Sequence, residues 1–264
     1  MTRIVGTKII RTPCCGTLMS TPAYASINFM AWEYWTDGYA DADLAPTGDG
    51  LRRCLCGCAF LLGSVEHVRT IRSPKPLAPK GWDRRRDNAV TRFFGRCSRD
   101  KIREHYDTRT IEEIEAEQSS IPPHTQYFAN SELKKLIESG VTDVRIMGIA
   151  RRLYWRYLNE PCREVYRNFR KVHREQVDAA GDSATFPEYR PTPEQVLNMQ
   201  QLIGLLKASE EPRWLEIAEL HRELGDMEAA QQALNLIKGD PERLQTVVQK
   251  LVNLQVQGPV RFYY

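Results

Sequence analysis

Five of the seven cysteines in this 264-residue chain fall in two tight groups near its start. The first group reads Pro13-Cys14-Cys15-Gly16 and the second Cys54-Leu55-Cys56-Gly57-Cys58. This pattern constrains the fold more than any other feature. For four thiolates to hold one ion, two distant turns must face each other, so the chain between them has to double back. A glycine directly after a cysteine lets the backbone turn its amides toward the sulfur. Zinc is the expected ion, because soft sulfur donors in a tetrahedron suit it and no redox motif accompanies them.

The spacing departs from the common Cys-x2-Cys-Gly knuckle. The first pair is adjacent, the second is Cys-x-Cys, and Thr12 and Arg53 stand where the outer cysteines would fall. Neighbouring side chains diverge unless the backbone turns sharply between them. Either Cys14 and Cys15 both ligate through such a turn, or one of them does and Cys58 completes the four; Cys54 with Cys58 is another workable spacing. The candidate ligands are therefore Cys14, Cys15, Cys54, Cys56 and Cys58, with one to spare.

Between the groups lie Ala25-Ser26-Ile27-Asn28-Phe29, Trp32-Glu33-Tyr34-Trp35 and Thr36-Asp37-Gly38-Tyr39. Asp-Gly after an aromatic run signals a hairpin, so a small antiparallel sheet is expected here, its aromatics covering the core of the metal module. The series Cys15-Gly16, Ser26, Asn28, Trp35-Thr36-Asp37-Gly38, Arg53-Cys54, Cys56-Gly57 and Phe60 resembles a family of uncharacterised bacterial proteins. Those proteins carry an N-terminal zinc-ribbon-like module and a helical, tetratricopeptide-like remainder. Cys15, Asn28, Asp37, Gly38 and Cys56 match its pattern residue by residue, and the outer cysteine of each pair does not. The middle series Arg145, Ala150, Trp155, Asn159 and Arg163 also resembles the family, and implies packing around a buried or partly buried arginine. The resemblance implies an α+β chain: a small antiparallel zinc-ribbon-like module at 1–68, then a mainly α-helical domain.

A net charge of +3 conceals a basic segment at 69–103, where twelve Lys and Arg face three Asp and Glu. It opens with the proline-rich Ser73-Pro74-Lys75-Pro76-Leu77-Ala78-Pro79, which reads as an extended linker. Trp82, Arg84, Arg85, Arg86, Arg92, Phe93, Phe94, Arg96 and Arg99 follow. Arginines among aromatics are able to bind phosphate while stacking on bases, which makes nucleic acid one possible partner; a solvated face docking on acidic helices is the plainer reading.

Residues 104–264 are expected to be helical, with helices over Glu104–Gln118, Ser131–Glu138, Thr142–Leu158, Pro161–Ala180, a start at Thr192-Pro193, another at Pro212, and an Asp240-capped helix from Pro241 to about Val256. Trp214, Ile217, Ala218, Leu220, Gly225, Ala230, Leu234 and Ile237 fall almost at tetratricopeptide spacing within 192–256, with Trp214 expected as the core anchor. One repeat cannot bury both faces, so it must stack on neighbouring helices.

No phosphate loop, serine elbow or His-Glu-x2-His occurs, and the five histidines lie in separate segments. Cys97 between Arg96 and Arg99 is too isolated to argue a nucleophile. The chain therefore reads as a non-enzymatic cytoplasmic adaptor, without a membrane segment, holding a structural zinc and offering its helical domain to a protein partner. Nucleic-acid binding through 69–103 is the alternative.

Overall fold

The strands, in chain order, are β1 (Arg3–Arg11), β2 (Leu18–Ser26), β3 (Glu33–Trp35), β4 (Ala40–Asp41), β5 (Leu51–Arg53), β6 (Ala59–Leu61), β7 (Glu66–Arg72) and β8 (Arg261–Phe262). The helices are α1 (Ile111–Ser119), α2 (Asn130–Glu138), α3 (Val144–Leu158), α4 (residues 160–169), α5 (Pro193–Lys207), α6 (Trp214–Glu223), α7 (Met227–Asn235) and α8 (Arg243–Asn253). These elements come from a computed structural model that describes residues 3–26, 31, 33–41, 50–75, 107, 109–169, 188–239 and 242–262. The layout is α+β, with small antiparallel sheets first and helices after them. Among the described residues, no helix is long and apolar enough to cross a membrane.

Unit 1 comprises Met1–Ile27 and Arg53–Gln126. Its sheet has the order β2-β1-β7, antiparallel throughout, and the β1–β2 pairing closes at Arg11 opposite Leu18. β5 and β6 form a second, two-stranded ribbon. The stretch after α1 is extended: Ser20 N–H donates to the Pro123 carbonyl, Thr125 N–H to the Ser20 carbonyl, and Arg53 N–H to the Gln126 carbonyl. The two prolines that stop α1 thus lead into edge pairing. α1 is closed by a Thr110–Glu113 capping box and buries none of its residues. Ile10, Met19, Cys54 and Phe60 make a small apolar cluster.

Unit 2 comprises Asn28–Arg52 and Tyr127–Tyr264. Its main core gathers Trp155 of α3, Met199, Leu202 and Ile203 of α5, Ile217 and Leu220 of α6, Leu234 of α7 and Val248 of α8. α5 begins as its sequence demands, with Thr192 and Gln195 in a capping box and Pro193 in the first turn. The α6–α7 turn uses Gly225 at φ +83° and Asp226 as a cap on Ala229 N–H. A second cluster sets Trp35 edge-on to Tyr166, ring centroids 5.3 Å apart, with Leu251 and Val260 around them. β3 is the middle strand of the sheet β4-β3-β8, so the hairpin at Asp37-Gly38 pairs with the last strand of the chain.

These observations change several expectations. The division does not fall at residue 68, because 28–52 groups with the helices and 53–126, including α1, groups with the first sheet. Trp35 accordingly covers the helical core and not the cysteine module. Trp155, 1% exposed, is the central indole of the helical unit, whereas Trp214 is only partly buried at its edge. The last helix starts at Arg243 with Glu242 as its uncapped boundary residue, two positions after the expected Asp240. The end of α3 at Leu158 and a new helix at about Pro161 stand as expected: Asn159 closes α3 and its carbonyl accepts from Arg163 N–H, so α4 follows almost at once.

The reason 28–52 joins the helices is ionic. Asp37 is 2% exposed, and its carboxylate accepts from the guanidinium of Arg163 and from Asn159 Nδ2 at 3.2 Å, while Tyr39 N–H donates to its other oxygen. Asn159 Nδ2 also reaches both oxygens of Glu223, which takes a further bond from Trp155 Nε1 at 2.8 Å. Arg222 is wholly buried, holds Glu219 through two bonds, and donates to the carbonyls of Val256 and Gly258. Asp37 and Glu219 thus each have a guanidinium, and Glu223 is held by the neutral donors Trp155 and Asn159. Burial, then the charges of Glu219 and Asp37, push the Glu223 carboxyl up to about 8, against the opposing pull of Arg222.

Two predictions follow from this geometry. Asp37→Ala leaves Arg163 to Glu160 alone and removes the acceptor of Asn159 Nδ2 and Tyr39 N–H, and should cost about 3 kcal/mol in denaturant unfolding of the helical unit. The raised Glu223 pKa makes a stability contribution that is complete below the ordinary carboxylate range and is lost as pH rises through about 8. The difference in unfolding free energy between wild type and Glu223→Gln should therefore shift in favour of the variant between pH 5 and 9, by on the order of a few kcal/mol. Parallel pH profiles for the two proteins would refute the assignment.

Candidate metal centre

Both cysteine groups sit on hairpin loops of unit 1. The β1–β2 loop is closed by Thr12 N–H to the Thr17 carbonyl and Gly16 N–H to the Thr12 carbonyl, each at 3.0 Å. The β5–β6 loop is closed by Cys54 N–H to the Cys58 carbonyl and Gly57 N–H to the Cys54 carbonyl, each at 2.9 Å. Gly16 at φ +70° and Gly57 at φ +91° make these turns possible. A Cβ at either would meet nothing within 4 Å, so backbone conformation, and not crowding, is what demands glycine.

The sulfurs of Cys14, Cys15, Cys54 and Cys56 lie within 4.8 Å of one another. Cys14 is 3.4 Å from Cys56, Cys15 is 3.4 Å from Cys54, and Cys14 and Cys15 are 3.8 Å apart. A tetrahedral ion bound by thiolates at about 2.3 Å spaces its sulfurs by about 3.8 Å, so the four fit one metal ion. The adjacent pair does converge, through the sharp turn at 12–17. Cys54 is buried at the base of the site while the other three are exposed, so its floor rests on the Met19 and Phe60 cluster.

Cys58 does not belong to the four-sulfur group. Its carbonyl closes the second loop, its amide favours the thiolate at Cys56, and its own thiol, beside Cys56, is held above its ordinary range. Thr12, which the sequence places at an outer ligand position, proves to be part of the surroundings. Its Oγ1 lies 3.4 Å from Cys15 Sγ and 3.6 Å from Cys54 Sγ, and Thr17 Oγ1 lies 3.1 Å from Cys15 Sγ. These two hydroxyls bring the Cys15 thiol down to about 5, whereas burial and the neighbouring thiols raise Cys14 to about 12. Charge in the thiol cluster thus settles first on Cys15, and a cation is what lets all four ionise together. The Thr at position 12 of a knuckle was legible as an anomaly; its role as a hydrogen-bonding neighbour was not.

Among the described residues, no histidine joins the sulfurs. His124 Nδ1 is 2.8 Å from Ser20 Oγ, and His67 Nε2 is 3.0 Å from Thr70 Oγ1. The basic candidates Arg84, Arg85, Arg86, Arg92, Arg96 and Arg99, together with Cys97, lie outside the described residues. Of the segment 69–103, the described part continues β7 and ends at Lys75, whose N–H donates to Asp107 Oδ2 at 3.1 Å.

Protein purified under reducing conditions should carry about one metal ion per chain, measured by elemental analysis. Cys54→Ser should abolish it, Cys58→Ser should retain it, and acidification should release it as protons compete for the thiolates. Loss of metal in Cys58→Ser with retention in Cys14→Ser would reverse the ligand assignment. Compared with family models, curated proteins and solved structures, the chain matches none of them.

Proposed function

We propose that the chain is a bacterial adaptor in which Cys14, Cys15, Cys54 and Cys56 hold one structural Zn2+ and the helices of unit 2 carry a protein-binding surface. The observation that carries this reading is the four-sulfur site itself. Four thiolates fill a tetrahedral ion, so no position is left for a substrate or an activated water. Soft sulfur donors without an accompanying histidine or carboxylate favour zinc over harder divalent ions. The metal's contribution is to fix two hairpin loops over the apolar cluster of Ile10, Met19, Cys54 and Phe60.

The helical surface draws its support from the α6–α7 pair, whose Trp214, Leu220, Gly225, Ala230, Leu234 and Ile237 follow tetratricopeptide spacing. Such pairs stack into extended surfaces that bind other proteins. The buried carboxylates of unit 2 are fully engaged with arginine, asparagine and tryptophan, which suits a rigid scaffold better than acid–base chemistry.

Capture from a native lysate with tagged full-length protein, followed by mass spectrometry, should return a defined protein partner whose retention resists nuclease. A heparin column and a salt-dependent shift assay test the alternative. Retention on heparin, lost steeply with salt and in the triple change of Arg84, Arg85 and Arg86 to alanine, would assign the basic segment to nucleic acid and set the adaptor reading aside.

A further inference from the structure

The two metal loops carry five thiols, and the four-sulfur group uses Cys14, Cys15, Cys54 and Cys56. Cys58 is the thiol left over. It follows Cys56 by one residue on the β5–β6 loop, is exposed, and has its sulfur beside that of Cys56. Three of the four grouped sulfurs, Cys14, Cys15 and Cys56, are exposed as well, and Cys54 is buried. The site is therefore open to small solutes on the side where the spare thiol stands.

A cysteine sulfur bound to a metal ion is a thiolate, and the thiolate is the form that reacts with peroxides. An exposed thiolate with a second thiol next to it is the arrangement through which redox-responsive cysteines work. Two thiols adjoin Cys56. Cys14 lies 3.4 Å away, but it is itself one of the four and sits on the other loop, so joining it to Cys56 would withdraw two ligands together. Cys58 joins at the loss of one ligand and without moving one hairpin against the other. Two residues apart, its Cα and that of Cys56 are separated by no more than about 7 Å, within the reach of a disulfide. Gly57 between them, at φ +91° with open space around it, lets the chain turn there.

We propose that Cys56 and Cys58 form a peroxide-responsive pair through which the metal centre gives up its ion reversibly. The inference rests on the reading of the four sulfurs as a zinc site and adds its regulation. The Cys56 thiolate attacks hydrogen peroxide: an S–O bond forms, the O–O bond breaks and hydroxide leaves, so Cys56 becomes a sulfenic acid. Cys58 then attacks that sulfur. The S–S bond forms, the S–O bond breaks, and the Cys58 proton leaves with the hydroxyl as water. The two sulfurs have passed two electrons to the peroxide. Cys14, Cys15 and Cys54 alone leave the ion one ligand short of a tetrahedron, and it dissociates. Reduction of the disulfide returns both thiols and with them the site.

Full-length wild type and Cys58→Ser, reduced and loaded with zinc, test the assignment. Serine keeps the backbone groups of position 58, so both proteins should take up the ion equally. Hydrogen peroxide should release zinc from wild type, read with a chromogenic chelator, and peptide mapping should find Cys56 linked to Cys58. A phosphine reductant with added zinc should then restore the wild-type site. Without a resolving thiol Cys56 goes on to the sulfinic acid, which reductants do not reverse, so Cys58→Ser should recover about fivefold less metal. Equal recovery in the two proteins, a Cys14–Cys56 link in wild type, or zinc that peroxide does not release overturns the assignment. Zinc uptake separates the two readings. If both proteins bind zinc and recover it alike, the metal centre stands and Cys58 loses its role, whereas a wild type that takes up no zinc loses both.

Discussion

A carboxylate taken wholly out of water must find donors, and in unit 2 that requirement organises nearly everything else. Asp37, Glu219 and Glu223 are all buried, and the groups that satisfy them come from α3, α4 and α6. Removing an ionised carboxylate from water costs several kcal/mol, a cost that Glu223 avoids in part by keeping its proton up to about pH 8, so only an arrangement that delivers every donor is stable. Arg222 shows how far the constraint reaches. The guanidinium that holds Glu219 also fixes the backbone at Val256 and Gly258, and Thr36 bonds Val260 in turn, so the Asp37 turn and the chain's last strand are set by the same charges. Apolar packing supplies the bulk of the stabilisation, but it is tolerant of small shifts. The ionic network is not, and it selects one register for the helices around it.

Unit 1 solves a different problem. Among its described residues Ile10, Met19, Cys54 and Phe60 form one small cluster, and helix α1 buries none of its side chains. Cysteine is both ligand and core residue here: Cys54 packs beside Met19 and Phe60 while its sulfur joins the cluster above them. The unusual spacing is absorbed locally. The first loop replaces an outer sulfur by the Thr12 hydroxyl and recruits the neighbouring Cys14 instead, and the second loop moves its outer sulfur from position 53 to Cys54. Hydroxyl and amide donors around the sulfurs then decide which thiol ionises first, which is the order a metal ion has to overcome.

The thiol cluster lies in unit 1 and the buried carboxylates in unit 2. In unit 2 buried charge and apolar packing share the same elements, since Trp155 belongs to the main apolar core and bonds Glu223 through its Nε1. A core built this way has little freedom to shift, because moving Trp155 would also break a buried hydrogen bond.

Much of this was legible in the amino-acid sequence, wherever a local rule sufficed. The thiol groups with their glycines marked both loops, because φ > 0 next to a ligand is a local demand. Thr192-Pro193 with Gln195, the Leu224-Gly225-Asp226 turn and the limits of α3 followed from capping and periodicity, which act within a few residues. Even the Asp37-Gly38 hairpin was visible. What the sequence could not reveal was partnership across distance. Nothing local states that the hairpin at 37 belongs with Arg163 and the strand at 261, that Trp155 and not Trp214 fills the centre, or that Cys58 falls outside the four-sulfur group. Those outcomes depend on which desolvated charges and which sulfurs meet in space, and only the tertiary structure, where burial makes an unpaired group intolerable, decides them.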